Sequence, residues 1–456
     1  MYPLTLASLP RGMVNERTFP HRLAHGLFVG SCLALMICFG LTPYSAQAQT
    51  NPDGSLYSRF GVGELRSFPS SQLDAMGGAG TGTLSLNYLN HDNPASWGYQ
   101  VLTRASGSLR YQNVLIEDAA GNSSQLQGAT LNSVEFSFPI LSRRMGMAFS
   151  FAPYSRMNYS VQQTGELTNS PLADEDIPFQ TTLQGSGGLQ QLRGGLGYRI
   201  TDNLSVGANA SMIFGILEQG RETLFGAGAG LEPSTQTDAT RLRGFTGTLG
   251  AIYAVEGLRS DNDMLSFGAS FTLPTRLTGE LVETIGFSLD RDTLRTQPDG
   301  QIDLPYRMQA GAAYQPNNRW YFVADALYEP WTSLESTFQG FPEAAALSDR
   351  VRLSAGAEVT PAGTDDLAPF FQRVSYRLGA YWDDGYATPV GAQDISTLAL
   401  TGGLSLPTMT GGTRLDLSFS VGRRGTTDND LVRDTFYTLS ATLNIGERWF
   451  LRRQLR

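Results

Sequence analysis

Alternation of apolar and polar residues with a period of two runs through most of this chain, and it leaves few folds open. In Thr413–Val421, Leu415, Leu417, Phe419 and Val421 share one face of an extended strand, while Asp416, Ser418 and Ser420 share the other. Successive side chains of a strand point to opposite sides, so each such segment predicts one greasy face and one polar face. The same pattern sets Leu265, Phe267, Ala269, Phe271 and Leu273 against Ser266, Gly268, Ser270 and Thr272. It also sets Val374, Tyr376, Leu378 and Ala380 against Arg373, Ser375, Arg377 and Gly379. Fourteen segments read this way: 101–113, 128–140, 143–161, 189–200, 203–217, 239–256, 264–284, 300–315, 318–333, 350–360, 370–382, 394–407, 411–423 and 433–448. Most reach or exceed the ~9–11 residues that a tilted strand needs to cross a bilayer.

The connections point the same way. Links from odd to even segments are long (114–127, 162–188, 218–238, 285–299, 334–349, 383–393 and 424–432), whereas most even-to-odd links are tight, such as Leu141-Ser142, Thr201-Asp202 and Pro316-Asn317. Long loops at one end, short turns at the other and an even strand count predict a closed transmembrane barrel. Closure satisfies every backbone donor and acceptor without an edge in lipid. Trp320, Tyr321, Tyr328 and Trp331, with Tyr381, Trp382, Trp449 and Phe450, lie near segment ends and are expected to form interfacial girdles. In 456 residues no linker, low-complexity tract or charge block marks a second domain. All 33 basic residues are arginine, and a formal net charge of −9 argues against a nucleic-acid partner.

The N-terminus predicts export. Arg22 and His25 precede an apolar run, Leu27–Leu41, and Ala46-Gln47-Ala48 is a cleavage site, so 1–48 reads as a signal peptide and Gln49 as the first mature residue, with Met1 or Met13 as the start. Cys32 and Cys38 both lie in that run, in no convincing lipobox. After it no stretch of eighteen apolar residues remains for a membrane helix.

Residues 49–100 do not alternate. Within them Ala75–Trp97, AMGGAGTGTLSLNYLNHDNPASW, is expected to be a plug or hatch that the barrel 101–456 closes around. Its glycines Gly77, Gly78 and Gly80 permit tight turns, and Asn93-Pro94-Ala95 fixes the exit into the first strand. Two prolines interrupt strands, Pro153 in the third segment and Pro274 in the seventh; a strand proline has no N–H to give, so each marks a bulge or weakened pairing. The polar phase carries Arg104, Arg110, Glu135, Arg193, Arg199, Asp325, Arg352, Glu358, Arg373, Arg377 and Asp416. Two readings stay open for the arginines: a paired network that wedges the lumen and anchors the hatch, or a subset (Arg104, Arg110, Arg193, Arg352, Arg373, Arg377) that receives a substrate carboxylate. His91, the one histidine after the leader, has no serine at triad spacing and no metal-ligand partners, and Gly77–Gly82 lacks the lysine of a phosphate loop. No catalysis, metal or cofactor is expected.

Asp303–Ser333, DLPYRMQAGAAYQPNNRWYFVADALYEPWTS, resembles the strand–turn–strand signature of the FadL-type long-chain fatty-acid outer-membrane transporters. Leu273-Pro274-Thr275-Arg276-Leu277-Thr278-Gly279-Glu280 is similar to the same family, and so is Met76-Gly77-Gly78-Ala79-Gly80 followed by Asn93-Pro94-Ala95. The resemblance implies a hatch inside the barrel and, at Pro153, a kink in the third strand that opens the wall sideways. Two departures set this chain in a divergent branch: it continues past Trp449-Phe450 as LeuArgArgGlnLeuArg, and it begins with Tyr57-Ser58-Arg59-Phe60-Gly61-Val62-Gly63-Glu64.

The expectation is therefore an all-β, 14-stranded antiparallel barrel in a Gram-negative outer membrane, both termini periplasmic. Its partners would be a hydrophobic small molecule, outer-membrane lipid and lipopolysaccharide, and the outer-membrane barrel assembly machinery. It would take up hydrophobic compounds passively, or else serve a protein-secretion machine as scaffold or shuttle, or act as a general porin.

Overall fold

The computed structural model describes residues 54–66, 70–85, 88–168, 177–226, 231–287, 290–339, 347–389, 395–408 and 412–448. The signal peptide, both cysteines and Trp449-Phe450 with the tail after them lie outside these residues. The wall is a closed antiparallel barrel of fourteen strands. Strands 1 and 2 are Thr103–Glu117 and Ser123–Leu141, and strand 3 comes in two pieces, Met145–Pro153 and Tyr159–Leu167. Strands 4 to 6 are Ile177–Arg199, Leu204–Phe225 and Ser234–Glu256. Strand 7 is Met264–Thr272 with Thr275–Phe287, strand 8 Asp290–Leu304 with Arg307–Gln315, and strand 9 Trp320–Glu329 with Glu335–Ser336. Strands 10 to 14 are Arg350–Val359, Ser375–Asp384, Ser396–Pro407, Arg414–Gly425 and Arg433–Glu447. Strand 14 closes on strand 1 in unbroken register from Thr103↔Glu447 to Glu117↔Arg433.

The faces are those of a barrel in lipid. In strand 13 the polar residues Asp416, Ser418 and Ser420 are buried while Leu417 and Phe419 are exposed. Phe245, Leu249, Tyr253, Phe267, Leu353, Leu378, Leu398 and Leu439 likewise face out. Among the described residues no helix is long and apolar enough to cross a membrane.

Three sequence expectations are corrected. The long links 162–188, 218–238 and 285–299 are mostly strand: strands 4 and 5 pair from Arg199↔Ser205 out to Phe179↔Phe225, and strands 7 and 8 as far as Phe287↔Asp290. Alternation fades there because both faces of the projecting hairpins meet water, yet pairing continues through polar contacts such as Thr181–Thr223 (3.2 Å) and Arg295–Glu283 (2.9 Å). Trp331, expected in a girdle, is instead buried and packs its ring on Tyr386 at 4.5 Å. Tyr321 and Tyr381 also pack against buried clusters, whereas Trp320, Tyr328 and Trp382 are exposed as expected. Third, Arg373 is not on strand 11 but closes a short helix, Phe370–Arg373, in the turn before it.

Prolines break the wall in two ways. Strands 7 and 8 bend together, at Leu273-Pro274 and Pro305-Tyr306, and resume in step: Thr272 pairs with Arg307 and Thr275 with Leu304. Strand 3 breaks alone. It pairs with strand 4 up to Pro153↔Gln190 and again from Tyr159↔Gly185. Between these, Ser155–Arg156 pairs with Glu64–Leu65 of the N-terminal segment. Strand 2 pairs with strand 3 only between Val134 and Leu141, and no ladder joins it to Tyr159–Leu167 among the described residues. Opposite the break strand 4 needs Gly188 at φ +143°, where a Cβ would stand 2.4 Å from the Ser155 carbonyl oxygen.

Candidate functional site

Residues 54–66, 70–85 and 88–100 make contacts with the polar inner face of the wall. This segment runs through a single helical turn, Leu56–Arg59, the pairing at Glu64–Leu65, a helix Ser71–Ala75 capped by Ser70, and a second 3-10 stretch, Pro94–Tyr99. Most of its side chains are buried although many are polar, so their partners must come from the wall.

Those partners are the inward residues that alternation places opposite the lipid face. Ser418 and Ser440 donate to the Asp74 carboxylate at 2.6 and 3.3 Å. Gln72 donates to Asp416. Asp325 accepts the backbone N–H groups of Gly80 and Thr81 at 2.6 and 2.7 Å. Thr401 accepts from Gly77 N–H and donates to the Ala75 carbonyl, both at 3.0 Å. Asn93 is the hub of the exit turn: its amide donates to the carbonyls of Thr81, Ala251 and Ala269, and its oxygen caps the Ala95 N–H. Pro94 starts the 3-10 stretch, where a missing N–H costs nothing, and the Ala95 carbonyl accepts from Ser205 at 2.6 Å. His91 meets Glu135 at 2.6 Å, and Glu135 also accepts from Ser106 and Ser133.

Glycines let the two backbones touch. Gly77 and Gly78 adopt φ of +71° and +81° after the helix. A Cβ on wall residue Gly356 would lie 2.6 Å from the Met76 carbonyl oxygen, and one on Gly379 would lie 2.4 Å from the Met76 carbonyl carbon. Of the six residues singled out in the sequence, Gly77, Gly80, Asn93, Pro94 and Ala95 each meet the wall, whereas Gly78 donates its N–H within the segment, to the Leu73 carbonyl at 2.7 Å. The other half of this interface, the glycines and serines of the wall, was visible in the sequence only as a small-residue inner face with no stated partner.

The six arginines do not gather in one place. Arg377 is committed to Glu358 at 2.6 Å and Asp416 at 3.2 Å. Arg104 is buried at the start of strand 1, Arg110 lies on the same strand, and Arg373 is in its turn. Arg193 and Arg352 do meet, in a chamber beside the strand 3 break that Arg66 and Arg307 also line. Arg66 and Arg307, and the Arg350 that bridges Glu329 (3.0 Å) and Asp383 (2.6 Å) nearby, were not singled out in the sequence. The chamber and the cavity that adjoins it offer water-sized centres only about 30 and 40 Å³ of space.

At its outer end the segment is latched by charge. Glu64 accepts from Arg424 at 2.7 Å and lies 3.9 Å from Arg66. Burial alone would raise its carboxyl, but Arg424 and Arg66 outweigh burial and hold it at about 2. A depressed carboxyl stabilises the folded form fully above its unfolded value of about 4.5 and loses that contribution as pH falls toward 2. The protection factors of the residue 60–66 amides, exchange rates corrected for their intrinsic pH dependence, are therefore expected to fall between pH 5 and roughly pH 2, and those of Glu64→Gln to be low and flat across that window. An equal fall in both proteins would remove Glu64 as the latch.

A closed fourteen-strand antiparallel barrel with an apolar exterior and a polar inner face is the architecture of an outer-membrane β-barrel protein. The BamG family model matches residues 31–456, and the chain belongs to that family. Among solved structures it resembles a Pseudomonas aeruginosa FadL homologue at 14% identity, covering 85% of this chain and 99% of that one with a TM-score of 0.55. It resembles the Pseudomonas putida toluene transporter TodX at 17% identity, covering 85% and 100%, with a TM-score of 0.52. For the CymD monoaromatic hydrocarbon channel the values are 14%, 85%, 99% and 0.52. At these identities the likeness is one of fold. No curated protein matches the chain.

Proposed function

We propose that this protein is a closed barrel that works as a structural member of the outer-membrane barrel assembly machinery, with the short turns and both termini on the periplasmic side. The carrying observation is the lumen. Residues 54–100 act as a hatch held to the wall by buried hydrogen bonds, and the space beside them is small and of mixed lining, with Arg193 and Arg307 next to Ile213, Leu304 and Trp331. A buried polar plug of this kind is costly to move, because each bond broken leaves a desolvated partner. Membership of the BamG family supports the same reading. A protein with this task needs its outer face and its turns, not a pore.

A second reading is favoured by one observation, the strand 3 break at Pro153. There the wall lacks a ladder between strands 2 and 3 on one side of the break. With the hydrocarbon channels among the similar folds, it supports passage of a hydrophobic compound sideways through the wall. That route requires the hatch to shift. The two readings part in one comparison. The tagged chain, extracted in mild detergent, is expected to hold the central barrel of the assembly machinery in stoichiometric amount, and its deletion to lower other outer-membrane barrels while leaving uptake of labelled long-chain fatty acid and toluene unchanged. Loss of uptake with no assembly partner would establish the transport reading instead.

A further inference from the structure

The turn between strands 10 and 11, residues 360–374, is tightly folded and yet holds large apolar side chains away from the rest of the protein. Leu367 is 96% exposed, Phe371 75% and Phe370 44%. Other short turns at this end of the barrel show charge or amide to solvent instead, as Arg143-Arg144, Asp202-Asn203 and Asn317-Asn318 do. Hydrogen bonds pin the turn in this shape. The Ala362 N–H donates to the Gln372 carbonyl at 2.7 Å, and the Asp365 carboxylate accepts from the Leu367 N–H at 2.9 Å. Thr360 and Ser375 join the base of the turn through their hydroxyls at 2.7 Å. Three large apolar side chains fixed together in water carry a cost that a covering surface removes.

The place of the turn on the barrel names that surface. The Tyr376 hydroxyl donates to the Phe371 carbonyl at 3.1 Å. Tyr376 is the first outward residue of strand 11; Leu378 follows it on the same face at 70% exposure, and its partner across to strand 12, Leu404, also faces out. A tyrosine at the rim of an apolar belt keeps its ring in hydrocarbon and its hydroxyl among the head groups. Its hydrogen bond therefore sets Phe370 and Phe371, whose rings meet edge-on at 5.5 Å, at head-group depth and continuous with the lipid-facing wall. Thr364, Asp365 and Asp366, on the other limb, are exposed and polar. Two carboxylates there do not attract an anionic surface, so the apolar side chains supply the contact.

We infer that residues 367–371 are a shallow membrane anchor: Leu367, Phe370 and Phe371 enter the phospholipid leaflet at the short-turn end of the barrel, while Asp365 and Asp366 stay in water. The inference needs the barrel in a bilayer and neither functional reading, so it is independent of both. It ties the end of strands 10 and 11 to the leaflet surface. Apolar attachment of this kind is insensitive to salt, which screens charges only.

The chain's two cysteines, Cys32 and Cys38, both precede residue 49, so the chain begun at Gln49 accepts a single nitroxide label at an introduced cysteine. The labelled barrel is reconstituted in bilayers of phosphatidylethanolamine and phosphatidylglycerol. Collisions of the label are then compared between oxygen, which concentrates in hydrocarbon, and a nickel chelate confined to water. A label at Phe371→Cys, or at Ala368→Cys with all three apolar side chains kept, is expected to meet oxygen more than nickel at low and high salt alike. A label at Thr364→Cys is expected to show the reverse order. Adding Leu367→Asn and Phe371→Asn is expected to turn the Ala368→Cys label over to nickel. A label at Leu378→Cys, on the lipid face of strand 11, keeps its oxygen preference in both backgrounds and shows the barrel folded and inserted. Nickel preference at 368 and 371 in the inserted parent would put the turn in water and overturn the anchor. Protection of both sites from both reagents would show a protein, a second copy included, covering the turn and would overturn it equally. An oxygen preference at 368 that survives Leu367→Asn with Phe371→Asn would deny these side chains the role.

Discussion

Gly356→Val combined with Gly379→Val is expected to lift residues 76 and 77 off the wall and make a closed barrel conduct. At each position the new Cβ would meet the Met76 backbone at 2.6 Å or less, and backbone cannot swing aside as a side chain can. Each insertion into so tight a contact costs about 1–3 kcal/mol. Displacement also breaks the nearby bonds from Gly77, Gly80 and Thr81 to Thr401 and Asp325, each worth about 1 kcal/mol and more where it leaves Asp325 buried and bare. The wall does not depend on them, since its own ladder is complete through strands 10 to 12. In planar bilayers the parent is expected to show almost no conductance and the double variant stable channel openings, together with new trypsin cleavage at Arg59 or Arg66. Gly402→Val is the control: a Cβ there meets only the Arg377 carbonyl oxygen at 3.6 Å, an ordinary contact. An equally silent double variant with unchanged digestion would show that the hatch does not close the pore.

The second large effect is expected at Arg350. This side chain gives Nε and Nη2 to the two oxygens of Asp383, at 2.8 and 2.6 Å, and Nη1 to Glu329. All three groups are largely buried, so Arg350→Gln leaves two carboxylates close together with Arg307, Arg352 and neighbouring dipoles to hold them. Removing one partner of a buried ionic cluster typically costs about 3–5 kcal/mol. Arg276→Gln breaks an equally short pair, to Asp303 at 2.7 Å, but between exposed side chains, and should cost far less. The temperature at which the barrel loses its compact mobility on unheated gels compares the two. Adding Glu329→Gln and Asp383→Asn to Arg350→Gln is expected to recover much of the loss. A cost for Arg350→Gln no greater than for Arg276→Gln would show that the cluster is wetter than its burial implies.

The arginines of the polar phase illustrate where reading a sequence stops. The structure places them differently: Arg377 belongs to a paired network with Glu358 and Asp416, and Arg193 and Arg352 line the chamber beside the strand 3 break. Nothing local separates them, because all three sit at equivalent positions of alternating strands. What separates them is the strand opposite, and for Arg193 a segment about a hundred residues earlier in the chain. Trp331 teaches the same lesson from the other side. Its place at a strand end suits a girdle, but the 3-10 turn after Pro330 directs it inward, onto Tyr386.

What the chain determined by itself is whatever depends on the pleat: which side chains face lipid, how many strands cross, and that residues before 101 cannot be one of them. Those are local properties of a period of two, and they survive without knowledge of any neighbour. The tertiary structure alone decided where strand 3 breaks free while strands 7 and 8 bend in step, which glycines receive the backbone of the N-terminal segment, and which carboxylate each guanidinium group such as Arg350 and Arg377 meets. Each of these is a contact between residues far apart in sequence, set by register and close approach. A proline or an arginine reads the same in the sequence whether or not such a partner awaits it.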